Sequence, residues 1–178
     1  MKPSQQPLKI GKIRIIFLAC LVKSRGCDKE SLMIRVENCV VIEQPVGKVF
    51  KYVTDISNNP KWQTDILELA ITSTGPFELG STYRCVNRFM GKRIETEGVI
   101  TEFVPDQVCS FRITSGMVTG ESRFLFEAKN GATRFTTAAA LELGFLSLGK
   151  IIVKRRICAQ LKNDMCRLKA ILENGDNQ

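Results

Sequence analysis

Six strand-like segments follow one another at 66–73, 80–90, 92–104, 107–115, 119–128 and 132–143, and they restrict this chain more than any other feature. The breaks between them carry turn chemistry: Gly75-Pro76, Met90-Gly91, Pro105-Asp106, Gly116 and Asn130-Gly131. Asn130-Gly131 is the clearest, because both residue types accept the positive φ of a type I′ hairpin. Connections this short leave no room for a crossover helix, so consecutive strands pair antiparallel as a meander. Ahead of them, Ile34, Val36, Val40 and Ile42 share one face of an extended segment, with Arg35, Glu37 and Glu43 on the other. That pattern adds a half-buried first strand, for seven in all.

The remaining apolar periodicity is helical. Pro45 stops the first strand, and Val46, Val49, Phe50 and Val53 recur at the spacing of one helix face. Asp55 is placed to cap a second short turn that Pro60 ends or bends, with Trp62 directly after it. After a break at 144–149, Ser147 is the candidate N-cap of a long helix reaching about Glu173. Ile151, Cys158, Leu161, Met165, Leu168 and Leu172 form its apolar stripe, widened by Ile152, Ile157 and Ile171, and Asn174-Gly175 ends it. The fold class is therefore α+β: one strand, two short helices, six strands and a long helix. Such a sheet buries its apolar face by curling around the helix, with the short helices closing one end. One helix does not fill a strongly curved seven-stranded sheet, so the interior holds either a cavity or packed aromatic rings. Tyr83, Phe89, Phe111, Phe124, Phe126 and Phe135 sit at inward-facing positions. Each alone reads as core; together with Trp62 they read as the lining of a small-molecule pocket.

The chain contains 0 histidines. That excludes Ser-His-Asp and Cys-His nucleophilic sites, and histidine-ligated metal or haem centres. Seven cysteines, at 20, 27, 39, 85, 109, 158 and 166, include no C-x-x-C pair. They read as free thiols packed as small hydrophobes rather than as a disulfide framework or zinc site. Cys158 and Cys166 lie near one helix face, where core packing is a better reading than a two-ligand metal site. No cofactor is expected.

The formal net charge is +8, but it is concentrated at the ends. Residues 1–32 carry seven basic and two acidic side chains, and 147–173 also carry seven and two, whereas 33–146 hold twelve and thirteen. The binding body is thus neutral, and no aromatic residues interleave with the basic ones, which argues against nucleic acid. A weak contact with anionic membrane through Lys150, Lys154, Arg155, Arg156, Lys162, Arg167 and Lys169 is one reading of the terminal helix; a solvated basic face is the other. The first 32 residues read as a disordered or spurious extension, with Met33 as the natural start. The competing reading is a signal segment whose apolar run, Ile15 to Val22, contains Leu18-Ala19-Cys20, which faintly resembles a lipoprotein cleavage site with a lipid attached at Cys20. The domain then spans 33–174, with a tail at 175–178, in a cytoplasmic protein that is a monomer or homodimer.

Residues 40–46 (VVIEQPV) running into 49–55 (VFKYVTD), then Asn59-Pro60-Lys61-Trp62, Gly80-Ser81-Thr82-Tyr83, the Gly91-Lys92-Arg93-Ile94-Glu95 hairpin and the terminal Leu161, Met165, Leu168, Lys169 helix resemble the SRPBCC superfamily. This superfamily is also called START-like or Bet v 1-like. Within it the chain looks most like the polyketide cyclase/dehydrase and lipid-transport group. The resemblance covers 33–173. It implies a helix-grip fold with an internal hydrophobic cavity, in a group that includes ligand carriers, coenzyme-Q-binding proteins and aromatase/cyclases.

Two functions follow for that cavity. One is non-catalytic binding, or transport, of a lipid, quinone or polyketide by Trp62, Tyr83, Phe89, Phe111, Phe124, Phe126 and Phe135. The other is a cyclase or dehydratase reaction, for which Tyr83, Glu95, Glu97 and Arg112 are the candidate catalytic groups. Glu95 and Glu97 share one strand face. Facing inward, one carboxylate has a raised pKa and serves as acid or base; facing solvent, opposite Ile94 and Ile100, it does neither.

Overall fold

The computed structural model describes residues 33–143 and 149–175. The proposed Ser147 cap and Cys20 anchor, the reading of 1–32, and the last three residues lie outside them. The order is β1 (Met33–Ile42), α1 (Val46–Thr54), a 3-10 turn (Ile56–Asn58), α2 (Asn59–Trp62), β2 (Ile66–Ile71), β3 (Thr82–Phe89), β4 (Lys92–Val104), β5 (Val108–Gly116), β6 (Val118–Lys129), β7 (Ala132–Leu143) and α3 (Lys150–Asn174). All seven strands form one antiparallel sheet in the order β1-β7-β6-β5-β4-β3-β2. From β2 to β7 sequential neighbours therefore pair, and β1 pairs with β7 at the edge opposite β2. This is the α+β helix-grip architecture, with α3 held against the sheet.

The turn chemistry accounts for the meander. Met90 and Gly91 take φ of 50° and 79°, and Asn130 and Gly131 take 49° and 86°. Each pair thus supplies the two positive φ values of a two-residue hairpin whose twist matches its strands. Asp106 also has positive φ, 62°, in the turn that Pro105 begins. At the other end of the fold the Asp55 carboxylate accepts from the Ser57 backbone N–H at 3.0 Å, capping the 3-10 turn. Pro60 sits in the first turn of α2, where its missing N–H costs nothing, so it opens a helix there instead of ending one.

Most of the apolar interior is one cluster of Ile42, Val49, Phe50, Val53, Trp62, Phe124, Phe126, Phe135, Met165, Leu168 and their neighbours. Trp62 and Phe135 are essentially inaccessible, and burial of side chains this size contributes about 2–3 kcal/mol each. A smaller cluster joins Ile34 and Val36 of β1 to Val153 of α3.

The start of the α3 stripe differs from the sequence expectation. Ile151 and Ile152 are 70% and 65% exposed, whereas Val153 is 1% exposed. The face that packs runs Val153, Ile157, Leu161, Met165, Leu168, Leu172, in steps of three and four, and Ile151 lies about half a turn from it. Cys166 is likewise exposed rather than packed, while Cys158 is half-buried. Eight residues turn a helix about 80° past two full turns, enough to carry Cys166 off the face that Cys158 shares.

Candidate ligand cavity

The concave side of the sheet and the helices form a half-open cavity of about 210 Å³. Period-two alternation puts Tyr83 and Cys85 of β3, Cys109 and Phe111 of β5 and Phe124 of β6 on its wall, and Val53 and Ile56 close the helical side. The rings meet edge to face, Phe111 to Phe124 at 5.1 Å and Tyr83 to Phe111 at 6.1 Å, the arrangement their quadrupoles favour. A second cavity of about 200 Å³ lies beside it, between the sheet and the first half of α3, lined by Phe89, Ile94, Val118, Ile157 and Leu161. Asp65, Asn87, Thr96 and Ile113 line both, so the two adjoin.

The aromatic residues named from sequence divide into three groups. Tyr83, Phe111 and Phe124 line the first cavity, and Phe89 lines the second. Trp62, Phe126 and Phe135 are packed behind the wall: Trp62 on Phe124 at 6.1 Å, and Phe126 on Phe135 at 5.1 Å.

Glu95, Glu97 and Arg112 stand on the outer face of the sheet. Glu95 bonds Arg84, and that partner holds its carboxylate below the usual range. Glu97 accepts from the Ser115 hydroxyl at 3.1 Å. Arg112 binds Glu121 through Nε at 2.9 Å and Nη2 at 2.8 Å. The solvent-facing alternative is the one realised for both carboxylates, because Ile94, Thr96 and Ile100 take the inward positions of β4. Of the four candidate catalytic groups, only Tyr83 reaches the interior.

The polar groups that do line the cavity were mostly not singled out from sequence. The Tyr83 hydroxyl and the Asn59 side-chain carbonyl are buried with no hydrogen-bond partner among the described residues. Burial pushes the Tyr83 phenol far above its ordinary 10.0, so it stays a neutral donor. Asp164 of α3 is 4% exposed. Its Oδ1 accepts from the Thr64 backbone N–H at 3.2 Å, the Thr64 hydroxyl at 3.3 Å and Gln160 Nε2 at 2.9 Å. Burial raises its pKa above 3.8, the neighbouring charge of Asp65 adding to the rise against the pull of those bonds. Cys85 and Cys109 are pushed up to about 11 and about 12, again by burial; they are neutral thiols and serve the wall as small apolar groups. No cluster of residues able to hold a metal occurs among the described residues. No described helix is long and apolar enough to cross a membrane.

A sequence model described as polyketide cyclase / dehydrase and lipid transport matches residues 33–173, nearly the whole of the described chain. The chain belongs to this polyketide cyclase/dehydrase and lipid transport family. No curated protein matches it. Solved structures also match. A START superfamily protein from Mycobacterium smegmatis aligns at 15% identity over 79% of this chain and 98% of its own, with a TM-score of 0.69. The Zhui aromatase/cyclase of a Streptomyces species aligns at 12% identity over 80% and 94%, with a TM-score of 0.67. Ara h 8.0201 aligns at 13% over 79% and 97%, with a TM-score of 0.62. Likeness at these identities is likeness of fold. Within that fold, this member of the polyketide cyclase/dehydrase and lipid transport family keeps a half-open, largely apolar cavity with a few polar groups in its wall.

Proposed function

We propose that the protein binds a hydrophobic small molecule in its interior cavity, as a carrier or sequestering protein. The observation that carries the reading is the cavity itself: about 210 Å³ of space walled by Tyr83, Phe111 and Phe124 and backed by a second space of about 200 Å³. A concave, mostly apolar space with a few polar groups in its wall is the usual form of a small-molecule site. The family description, which includes lipid transport, supports the same class of ligand. The test is native mass spectrometry and organic extraction of the purified full chain. A co-purifying lipid, quinone or polyketide-like mass is expected. Absence of any bound mass, together with failure to take up an apolar fluorescent dye, refutes the reading.

A cyclase or dehydratase acting in the same cavity is the second reading. Asp164 favours it: a buried carboxyl with a raised pKa beside an apolar binding space is suited to proton transfer. Loss of turnover in Asp164→Asn, with ligand affinity retained, supports catalysis; turnover unchanged by that substitution rules out Asp164 as its acid or base.

A further inference from the structure

We infer that the end of the fold where α3 begins is a docking surface for an anionic lipid bilayer, with the mouth of the second cavity turned toward the lipid. This partner rests on the carrier role proposed above: an apolar cargo partitions into bilayers, so its carrier must meet one to load or unload.

Four exposed apolar side chains mark this end: Ile151, Ile152, Met90 and Met117. Ile151 and Ile152 lie in the first turn of α3, Met90 follows β3 in the hairpin to β4, and Met117 joins β5 to β6. One apolar cluster brings these three segments together. It contains Val153, Phe89 and Val118, the chain neighbours of Ile152, Met90 and Met117. Exposed apolar residues scattered singly are ordinary, but several gathered around one opening mark an interaction site. The second cavity supplies the opening, because Arg88, Met90 and Arg156 line it and are themselves exposed.

The charges beside this patch have one sign. Lys154, Arg155 and Arg156 follow Ile151 and Ile152 in the next turn of α3, all exposed. None of the three takes part in an ion pair among the described residues. From Lys150 onward α3 carries no acid before Asp164, which is buried. Glu142, near the end of β7, alternates to the convex face, since its neighbour Leu141 lines the cavity. Exposed isoleucines flanked by unpaired cations suit an anionic interface: the apolar side chains enter the headgroup boundary while the cations meet lipid phosphates. A nucleic acid would pair with the cations and leave the isoleucines in water, and a neutral bilayer would do the reverse.

Vesicle co-sedimentation of the full chain is the test. Binding is expected to vesicles of equimolar phosphatidylcholine and phosphatidylglycerol, weakening as salt rises, with none detectable on phosphatidylcholine alone. Arg155→Glu should weaken it at least tenfold, since each unit of charge near such a surface is worth about fivefold. Ile151→Ser/Ile152→Ser should weaken it several-fold and leave its salt dependence in place. Lys129→Glu makes the same change of charge at the opposite end of β6 and should leave binding unchanged. All of these positions are exposed, so equal urea midpoints verify that each variant keeps the fold. Equal weakening by Lys129→Glu and Arg155→Glu, or binding indifferent to the isoleucine substitutions, overturns the docking surface. So does tighter binding to a DNA duplex than to vesicles at the same salt, a dimer that the isoleucine substitutions disperse, or no vesicle binding at all. Each of these outcomes leaves the cavity reading standing, because bound mass and dye uptake decide that separately.

Discussion

Tyr83 lies across from Gly98 in the β3–β4 ladder, and its hydroxyl fills the space that a side chain on Gly98 would take. A Cβ there would collide with the phenol and stand 2.6 Å from the carbonyl oxygen of Arg112. Gly98 is thus demanded by space, and the bulge beside it, between Glu97 and Gly98, belongs to the same accommodation. Gly98→Ala is expected to destabilise the fold by about 1–3 kcal/mol, read from the urea midpoint at unchanged slope. A midpoint equal to that of the wild type would show that the ring has another place to go.

Removing only the phenol oxygen tests the opposite side of the same contact. Tyr83→Phe deletes a buried hydroxyl that has no protein partner among the described residues, so the unliganded protein should gain about 1 kcal/mol. The thermal midpoint of ligand-free protein checks this. A loss of stability instead would mean that the hydroxyl is satisfied in solution.

The strand faces were legible because a period of two with recognisable turns leaves little freedom. Asn130-Gly131 and Met90-Gly91 fix where β6, β7, β3 and β4 begin and end, and once Ile94 and Ile100 face inward, Glu95 and Glu97 must face out. The polar lining was much less legible. Asp164 sits in a helix dominated by Lys and Arg, and counting charge places it among surface residues. The available signal was its position between Leu161 and Leu168, next to Met165 and on the buried stripe. Its partner Thr64 lies 100 residues away in sequence, and such a pairing exists only once the sheet has curled. The same long-range geometry decides which rings line the space and which stand behind it, since Phe124 and Phe126 are equivalent by alternation alone.

The cysteines offer a chemical map of the interior. Cys39 and Cys166 are exposed, whereas Cys85 and Cys109 are buried on the cavity wall. At pH 8 a thiol held at about 11 is thiolate in only about one molecule in a thousand. Brief alkylation with iodoacetamide followed by peptide mapping should therefore label Cys39 and Cys166 and spare Cys85 and Cys109. Cavity ligands should slow any residual labelling of the buried pair without affecting the exposed pair. Equal labelling of all four would mean that the interior opens on the time scale of the reaction.

The raised pKa of Asp164 has a definite consequence for stability against pH. Burial places its folded-state value above the ordinary 3.8, so between those two values the folded protein keeps a proton that the unfolded chain has released. Stability must then fall as pH rises through that window and remain lowered above it. Asp164→Asn carries no such charge and keeps an amide oxygen to accept from Thr64 and Gln160. The variant should be more stable than the wild type at pH 7, and the difference should vanish on acidification below the unfolded carboxylate range. Urea unfolding of both proteins from pH 3 to pH 7 measures this directly. A variant that is less stable at pH 7 would show that the ionised carboxylate is held by its three hydrogen bonds more strongly than burial opposes it.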